Sequence, residues 1–368
     1  METPVFLRNS ERKTYRTCRQ MWEWKYVRRL SAPRQRGALT FGTGVHVALE
    51  HRYPPGTERG PHPAITFEKW FMENEHAFAQ WDDEGNRFDA LELGLAMLNG
   101  YVEQWGDDDH IRIIAPEMPL RLDIYDKRGN YLCTWVGKTD AAYEDLSKRR
   151  KGRRRIGFFE HKTAKVIEQN LRINSGYGDQ GLSYAWGGSI VLRDMGILEP
   201  GENVDHILFN WLRKGMPDDR PRNEQGFALN KPTKDALLSF LADKGTTVPA
   251  RTKVDDLLLM VEALGQDPAL LGEPSKVQPS PLLDRYELDY GDGAMVETER
   301  RIRAEAWERA QVRAGKLPIY KSPSKDCSWQ CEFVEVCELH EMGEDFESML
   351  ELEFESWDPY EDHETEIK

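Results

Sequence analysis

The sequence predicts an α/β fold, with a group of strands at the centre of the chain and helices before and after it. Three observations carry this. Tyr131 to Val136 and Ile156 to Phe159 are short runs rich in β-branched and aromatic residues, separated by polar turn sequence, which is the pattern of neighbouring strands. Ile111 to Tyr125 and Asp205 to Trp211 add a strand pattern on each side of that pair. Helices are expected over residues 9–30, 41–50 and 63–105 ahead of the strands, the first and last of these amphipathic, and over Ser175 to Arg193 and, as a long charged helix, Glu297 to Gly315 behind them.

Composition bounds the rest. A hydrophobic share of 39% is enough for a core, while 31% charged residues and a mean hydropathy of −0.69 demand a very polar surface. No run approaches the roughly 20 apolar residues that cross a bilayer. Met1 to Val5 lacks the basic-then-apolar order of a leader, so a soluble, cytoplasmic protein with no membrane partner is expected. The net charge of −14 is unevenly spread. Twelve acidic residues and one lysine fall in 341–368, a surplus of eleven negative charges that leaves −3 on everything else. That acidic tail is expected to be disordered or loosely attached. Within the near-neutral body, Lys148, Arg149, Arg150, Lys151, Arg153, Arg154 and Arg155 form a basic turn joining the two central strands. It suits a DNA backbone, and the alternative is a solvated turn.

The central pair carries the chemistry. The first strand leads to Asp140 and the second runs into Glu160-His161-Lys162, where alternation puts Glu160 and Lys162 on one face. Two carboxylates and an ammonium converging on one point can hold a hard divalent cation and position a water, as metal-assisted phosphodiester hydrolysis requires. The alternative is a hairpin with exposed ion pairs. Gly137-Lys138-Thr139 is not a nucleotide-binding loop, because Leu132 stands where its first glycine belongs.

Other residues point the same way. His46 and Glu50 are four apart in a helix entered through Phe41-Gly42-Thr43-Gly44, and so face one way. Gln180 and Tyr184 share a helix face and could hydrogen-bond a phosphate or a metal ligand. Three of the five cysteines, Cys327, Cys331 and Cys337, lie within eleven residues, which in a cytoplasmic chain points to metal or iron–sulfur binding. Three thiolates need a fourth ligand, for which Cys18 is chosen, with His340 an alternative in a zinc site. Cys133, inside an apolar strand, reads as a buried structural thiol.

Together these residues resemble the RecB-like branch of the PD-(D/E)XK nucleases, most closely its iron–sulfur exonucleases, which include AddB nuclease domains and stand-alone exonucleases of CRISPR loci and phage genomes. The resemblance spans Cys18 to Cys337. Gly42-x-x-x-His46 matches the family's metal-ligating histidine, Asp140 its second motif, Glu160-x-Lys162 its third, and Gln180-x-x-x-Tyr184 the Gln-x-x-x-Tyr motif of the branch. Cys18 with Cys327, Cys331 and Cys337 matches its one-plus-three cysteines, although Cys327-x3-Cys331 is a residue longer than in many members. The resemblance implies a restriction-endonuclease-like core, a mixed central sheet flanked by helices, with N-terminal helices and a C-terminal iron–sulfur region. It implies Mg²⁺ or Mn²⁺ on His46, Asp140 and Glu160, a structural [4Fe-4S] cluster, and catalytic roles for Asp140, Glu160, Lys162, Gln180 and Tyr184. The expected activity is DNA exonuclease cleavage of single-stranded or frayed ends in recombination, repair or phage DNA processing, with a separate helicase or recombination protein as partner. Two rivals stand beside it: a nuclease-inactive DNA-binding or recombination adaptor, and a zinc-stabilised protein-interaction factor. The expected divisions are a helical region over 1–110, a core over 111–214, an insertion over 215–282, a helix and cysteine cluster over 283–340, and the tail.

Overall fold

The structure, a computed structural model, describes residues 5–33, 37–79, 81, 89–150, 152–167, 178–249 and 251–361. Its centre is a mixed six-stranded sheet: β1 (Phe6–Leu7), β3 (Ile111–Tyr125), β4 (Tyr131–Arg150), β5 (Arg153–Ala164), β6 (His206–Arg213) and β7 (Leu283–Asp289). The β3–β4, β4–β5 and β6–β7 pairs are antiparallel, whereas β1–β4 and β5–β6 are parallel. A parallel neighbour needs a crossover, and helix α6 (Asp179–Asp194) supplies it between β5 and β6.

Each face of the sheet is covered, as the alternation of side chains allows. Phe158, Ile207 and Phe209 point to one side, where Tyr184 and Ala185 of α6 and Ile302 and Ala306 of α9 (Asp292–Arg313) complete a buried cluster. Phe159 points to the other, packing on Tyr143 and on Tyr53 just beyond α3 (Gly37–Arg52). Helices α4 (Pro63–Asn74) and α5 (Ala90–Trp105) pack around α3, and Gly94 lets Phe67 approach so closely that a Cβ would lie 2.0 Å from its ring.

The structure corrects the sequence in three places. Gly137 does not end a strand; β4 runs straight through it for 20 residues. A Cβ at this position would sit 2.7 Å from the Tyr184 ring, so the glycine serves close packing of α6 on the sheet. The helix expected over 9–30 is broken at Cys18, whose extended backbone separates α1 (Asn9–Thr17) from α2 (Arg19–Trp22), with a wide π-type turn over Glu23–Val27. Tyr15, Trp22 and Tyr26 still share one buried cluster, as their spacing predicts, while Cys18 faces elsewhere. The acidic tail is not loose as far as Glu361. Helices α10 (Cys327–Gln330), α11 (Val334–Met342) and α12 (Phe346–Glu353) lead to β8 (Glu355–Ser356), which pairs with β2 (Leu30–Ser31). Leu350 and Tyr360 are buried, and these apolar residues interleaved among the acids are what hold the segment down. Residues 362–368 lie outside the described part.

Residues Gly215–Leu282 form a second compact unit. Its helices α7 (Lys234–Asp243) and α8 (Val254–Ala263) bury Leu237, Leu241, Leu257 and Val261 between them. No described helix of either unit is long and apolar enough to cross a membrane.

The C-terminal segment can be tested at Tyr360, whose hydroxyl donates to the buried Glu11 carboxylate. Tyr360→Phe should lower unfolding stability by about 1–3 kcal/mol, because Glu11 then lacks one of its donors; denaturant titration reads this directly.

Candidate functional site

The site is built where α3 and α6 meet the middle of β4 and β5. The β4–β5 register pairs Ala141 with Phe159, which brings Asp140 beside Glu160 and His161. One carboxylate oxygen of Asp140, Oδ2, accepts the His161 backbone N–H, and the other, Oδ1, lies 3.0 Å from His46 Nδ1. On the adjoining strand the Lys162 ammonium contacts Glu160 Oε1 and donates to Gln180 Oε1 at 3.1 Å. Gln180 in turn donates through Nε2 to Glu160 Oε1 at 2.8 Å and to the Tyr184 hydroxyl at 3.2 Å. Six residues singled out in the sequence therefore converge: His46, Asp140, Glu160, Lys162, Gln180 and Tyr184.

One member was missed. Among the described residues, His46, Glu117 and Asp140 form the group whose potential ligand atoms all lie within 4.8 Å of one another. Glu117 lies in β3 between the pairs Pro116–Ala141 and Met118–Thr139, directly across from Asp140. Its φ of 44° is in the left-handed region that non-glycine residues rarely enter, and its carboxylate is 2.6 Å from Lys138 Nζ. The signal was the acid between Pro116 and Pro119, but using it required the β3–β4 register. Glu160 stands outside that tight group, held by Lys162 and Gln180.

Charge is arranged in opposed pairs. The Asp140 charge, against burial, raises His46 to about 9, so the imidazole is mostly protonated at neutral pH. Burial opposes ionisation of Asp140, but the charge and hydrogen bond of His46 outweigh it and hold the carboxyl below its ordinary value. Burial, with the Asp140 charge, pushes the Glu160 carboxyl up, while Lys162 pulls against it. Lys162 is half-buried, and the desolvation alone would favour the neutral amine. The Glu160 charge and hydrogen bond prevail, so it is held as an ammonium. His161 points to the opposite face, among Tyr53, Tyr101 and Phe159, where burial lowers it to about 3 and keeps it neutral.

These donors fit a small divalent cation: carboxylate oxygens and one imidazole nitrogen, already gathered. A cation there competes with the proton on His46, so binding must release it.

The four cysteines gather at a separate place. Cys18, Cys327, Cys331 and Cys337 line one cavity of about 1090 Å³, with Met21 and Trp24 in its wall. Burial raises Cys331 above the ordinary thiol value, and Cys327, Cys18 and Cys337 add to the shift, so an adjacent cationic centre is what would hold these groups as thiolates. No three of the sulfurs fall within 4.8 Å of one another. His340 is not on this cavity; its ring packs on Trp24 and Phe346. Cys133 lies in the main core, 1% exposed, and burial raises it to about 11.

The basic turn lies apart from the carboxylates. The eight residues from Asp140 to Lys148 span roughly 25 Å along a strand. Its cations are largely engaged: Lys148 with Glu287, Arg153 with Glu202, and Arg154 with Glu144 and the Ile197 carbonyl. Arg155 is not a surface contact at all, being 7% exposed and paired with Asp145, Glu287 and Asp289. Arg149 is exposed, whereas Lys151 and the Arg150 side chain lie outside the described residues.

No protein-family model matches the chain, and no curated protein is significantly similar to it.

If the site takes a divalent cation, the His46 proton, together with that of the raised Glu160 carboxyl, gives its binding a pH dependence. Below about 9 each Mn²⁺ bound displaces the His46 proton, so affinity should rise as pH increases from 7, by up to tenfold per unit, and level off above about 9. Calorimetric titration with Mn²⁺ across this range checks it; His46→Gln should flatten the profile.

Proposed function

We propose that this chain is a metal-dependent deoxyribonuclease of the PD-(D/E)XK type, RecB-like, that degrades DNA from its ends. The observation that carries the proposal is the convergence of three distant motifs. His46 reaches Asp140 from α3, and Gln180 from α6 bridges the two charged groups of Glu160-x-Lys162. An exposed hairpin of surface ion pairs would have no use for a half-buried glutamine tying a carboxylate to an ammonium.

His46, Glu117, Asp140 and Glu160 would hold Mg²⁺ or Mn²⁺, which when bound supplies Lewis-acid polarisation of a phosphodiester and a more acidic water. The protein's own groups divide the remaining work. Lys162, kept protonated by Glu160, donates to the water or to the phosphate oxygen on which charge develops. Gln180 fixes the rotamers of both, and the Tyr184 hydroxyl holds Gln180. The four cysteines on one cavity would hold a [4Fe-4S] cluster, and their separation favours it over one zinc. A tetrahedral zinc with bonds near 2.3 Å draws its sulfurs to about 3.8 Å apart, whereas four irons, each taking one thiolate, set them wider.

Digestion of end-labelled linear and closed circular DNA with Mg²⁺ or Mn²⁺ tests the activity. Linear DNA should be degraded, and Asp140→Ala, Glu160→Ala and Lys162→Ala should each abolish cleavage without unfolding the protein, because the groups act as a unit. Full activity in Glu160→Ala, or no cleavage by the wild type, overturns the proposal.

The cluster is tested separately. Anaerobically purified protein should be brown, with about four iron and four sulfide per chain. Cys18→Ala, Cys327→Ala, Cys331→Ala and Cys337→Ala should each bleach it, and Cys133→Ala should not. A colourless protein with one zinc would mean the wrong metal.

A further inference from the structure

The helix that ends at Cys18 is also the helix that holds the catalytic side of α6, through a network centred on Asp179. Arg12 and Arg16 both lie on α1. Arg12 is wholly buried, donating through Nε to Glu305 at 2.5 Å and through Nη1 to the Ser183 hydroxyl of α6 at 2.7 Å. Arg16 donates to Glu305 Oε1 at 2.8 Å and contacts Asp179 Oδ2. Arg301 of α9 approaches the other oxygen of Asp179 at 3.1 Å, and Arg12 lies 3.6 Å from it. Asp179 is the first residue of α6, which has no side-chain cap. A carboxylate in the first turn is favourable there, and three arginines fix where it sits.

The next residue is Gln180, which sets Glu160 and Lys162. We infer that Asp179 is a positioning residue: gripped by Arg12 and Arg16, it fixes the start of α6, so the α1 helix ending at Cys18 holds Gln180 against the Glu160–Lys162 pair. The inference rests on the nuclease reading and adds a path between its two centres. Cys18 anchors the C-terminal end of α1 in the cysteine cavity. Arg16 lies two residues earlier and Arg12 a further turn back, so any displacement of Cys18 carries both arginines with it. The coupling is then a matter of two adjacent helices sharing ion pairs.

The test uses the full chain with its cluster. Asp179→Asn keeps the side-chain volume and removes the charge; Arg16→Gln, at a partly exposed position, serves as a second variant if the first folds poorly. Both should keep wild-type iron and sulfide content. Both should weaken Mn²⁺ binding, measured by calorimetry without DNA, and slow cleavage, each by roughly 10- to 100-fold, as loss of a group that orients a metal ligand does. In a Gln180→Ala background the same substitution should add little further loss, because the route runs through Gln180. An undiminished effect in that background overturns the inference, as does loss of iron from both variants or unchanged Mn²⁺ affinity in either. If the wild type neither binds Mn²⁺ nor cleaves DNA, the nuclease reading itself has failed. Unchanged variants of an active wild type would sink the positioning role alone.

Discussion

The buried carboxylate of Glu11 is the constraint on which the rest of this structure depends. It is fully inaccessible to water, and such a charge persists only if donors surround it. They come from the Trp22 indole, from Arg309 in α9 and from the Tyr360 hydroxyl. Those partners lie 11, 298 and 349 residues away, so satisfying one carboxylate brings both ends of the chain to the same place. Removing one partner of such a buried ion pair typically costs about 3–5 kcal/mol, a large part of the stability of an ordinary domain. The convergence of Cys18 with three cysteines more than three hundred residues later follows from that same closure. Closing so long a loop adds little entropic cost beyond that of a shorter one, since the term grows only with the logarithm of length.

Register does for the carboxylates what Glu11 does for the chain ends. A slip of one residue between β4 and β5 would turn Asp140 or Glu160 to the face occupied by Tyr53, Tyr101 and His161. The slip is blocked from two sides. Trp135 and Phe158 on one face must meet the glycines of α6, where a Cβ at Gly187 or Gly188 would fall within 2.3 Å of their rings. On the other, Tyr143 stacks on Phe159 and its hydroxyl is 2.5 Å from His206 Nε2.

Much of this was legible in the sequence because it rests on local pattern. Alternation placed Glu160 with Lys162, helical spacing placed Gln180 with Tyr184, and the choice of Cys18 as companion to Cys327, Cys331 and Cys337 agrees with the one cavity that all four line. What stayed hidden depends on contacts between distant segments. The strand pattern stopped at Val136 because the partner of Gly137, the Tyr184 ring, is 47 positions on. Glu117 could not be assigned without knowing how far β4 extends against β3. The basic turn looked like a free cationic loop because Glu144, Glu202, Glu287 and Asp289, which engage it, are scattered over more than a hundred residues. Tail composition was also misleading: charge density suggested a solvated segment, but Leu350 and Tyr360 decide its fate, since a few buried side chains of about 2 kcal/mol each outweigh repulsion that solvent screens.

The pairing of charges explains how so many ionisable groups tolerate burial together before any cation binds. Asp140 carries its own counter-charge in His46, and Glu160 carries Lys162, so the resting site is nearly neutral as two separate pairs. Glu117 is likewise matched by Lys138. Each acid is thus oriented in advance beside a cationic partner, which for Glu117 and Glu160 works against the burial that favours their neutral forms, at the expense of a strained backbone at Glu117. A divalent cation entering this arrangement need not assemble its ligands; it has only to replace weaker cations already in place. The two kinds of cation do not leave in the same way. His46 can lose its proton and remain as a neutral nitrogen ligand, whereas Lys162, held as an ammonium, can only be turned outward from Glu160. If a divalent cation binds here, that asymmetry would make the imidazole its ligand and leave the ammonium free to face an anion.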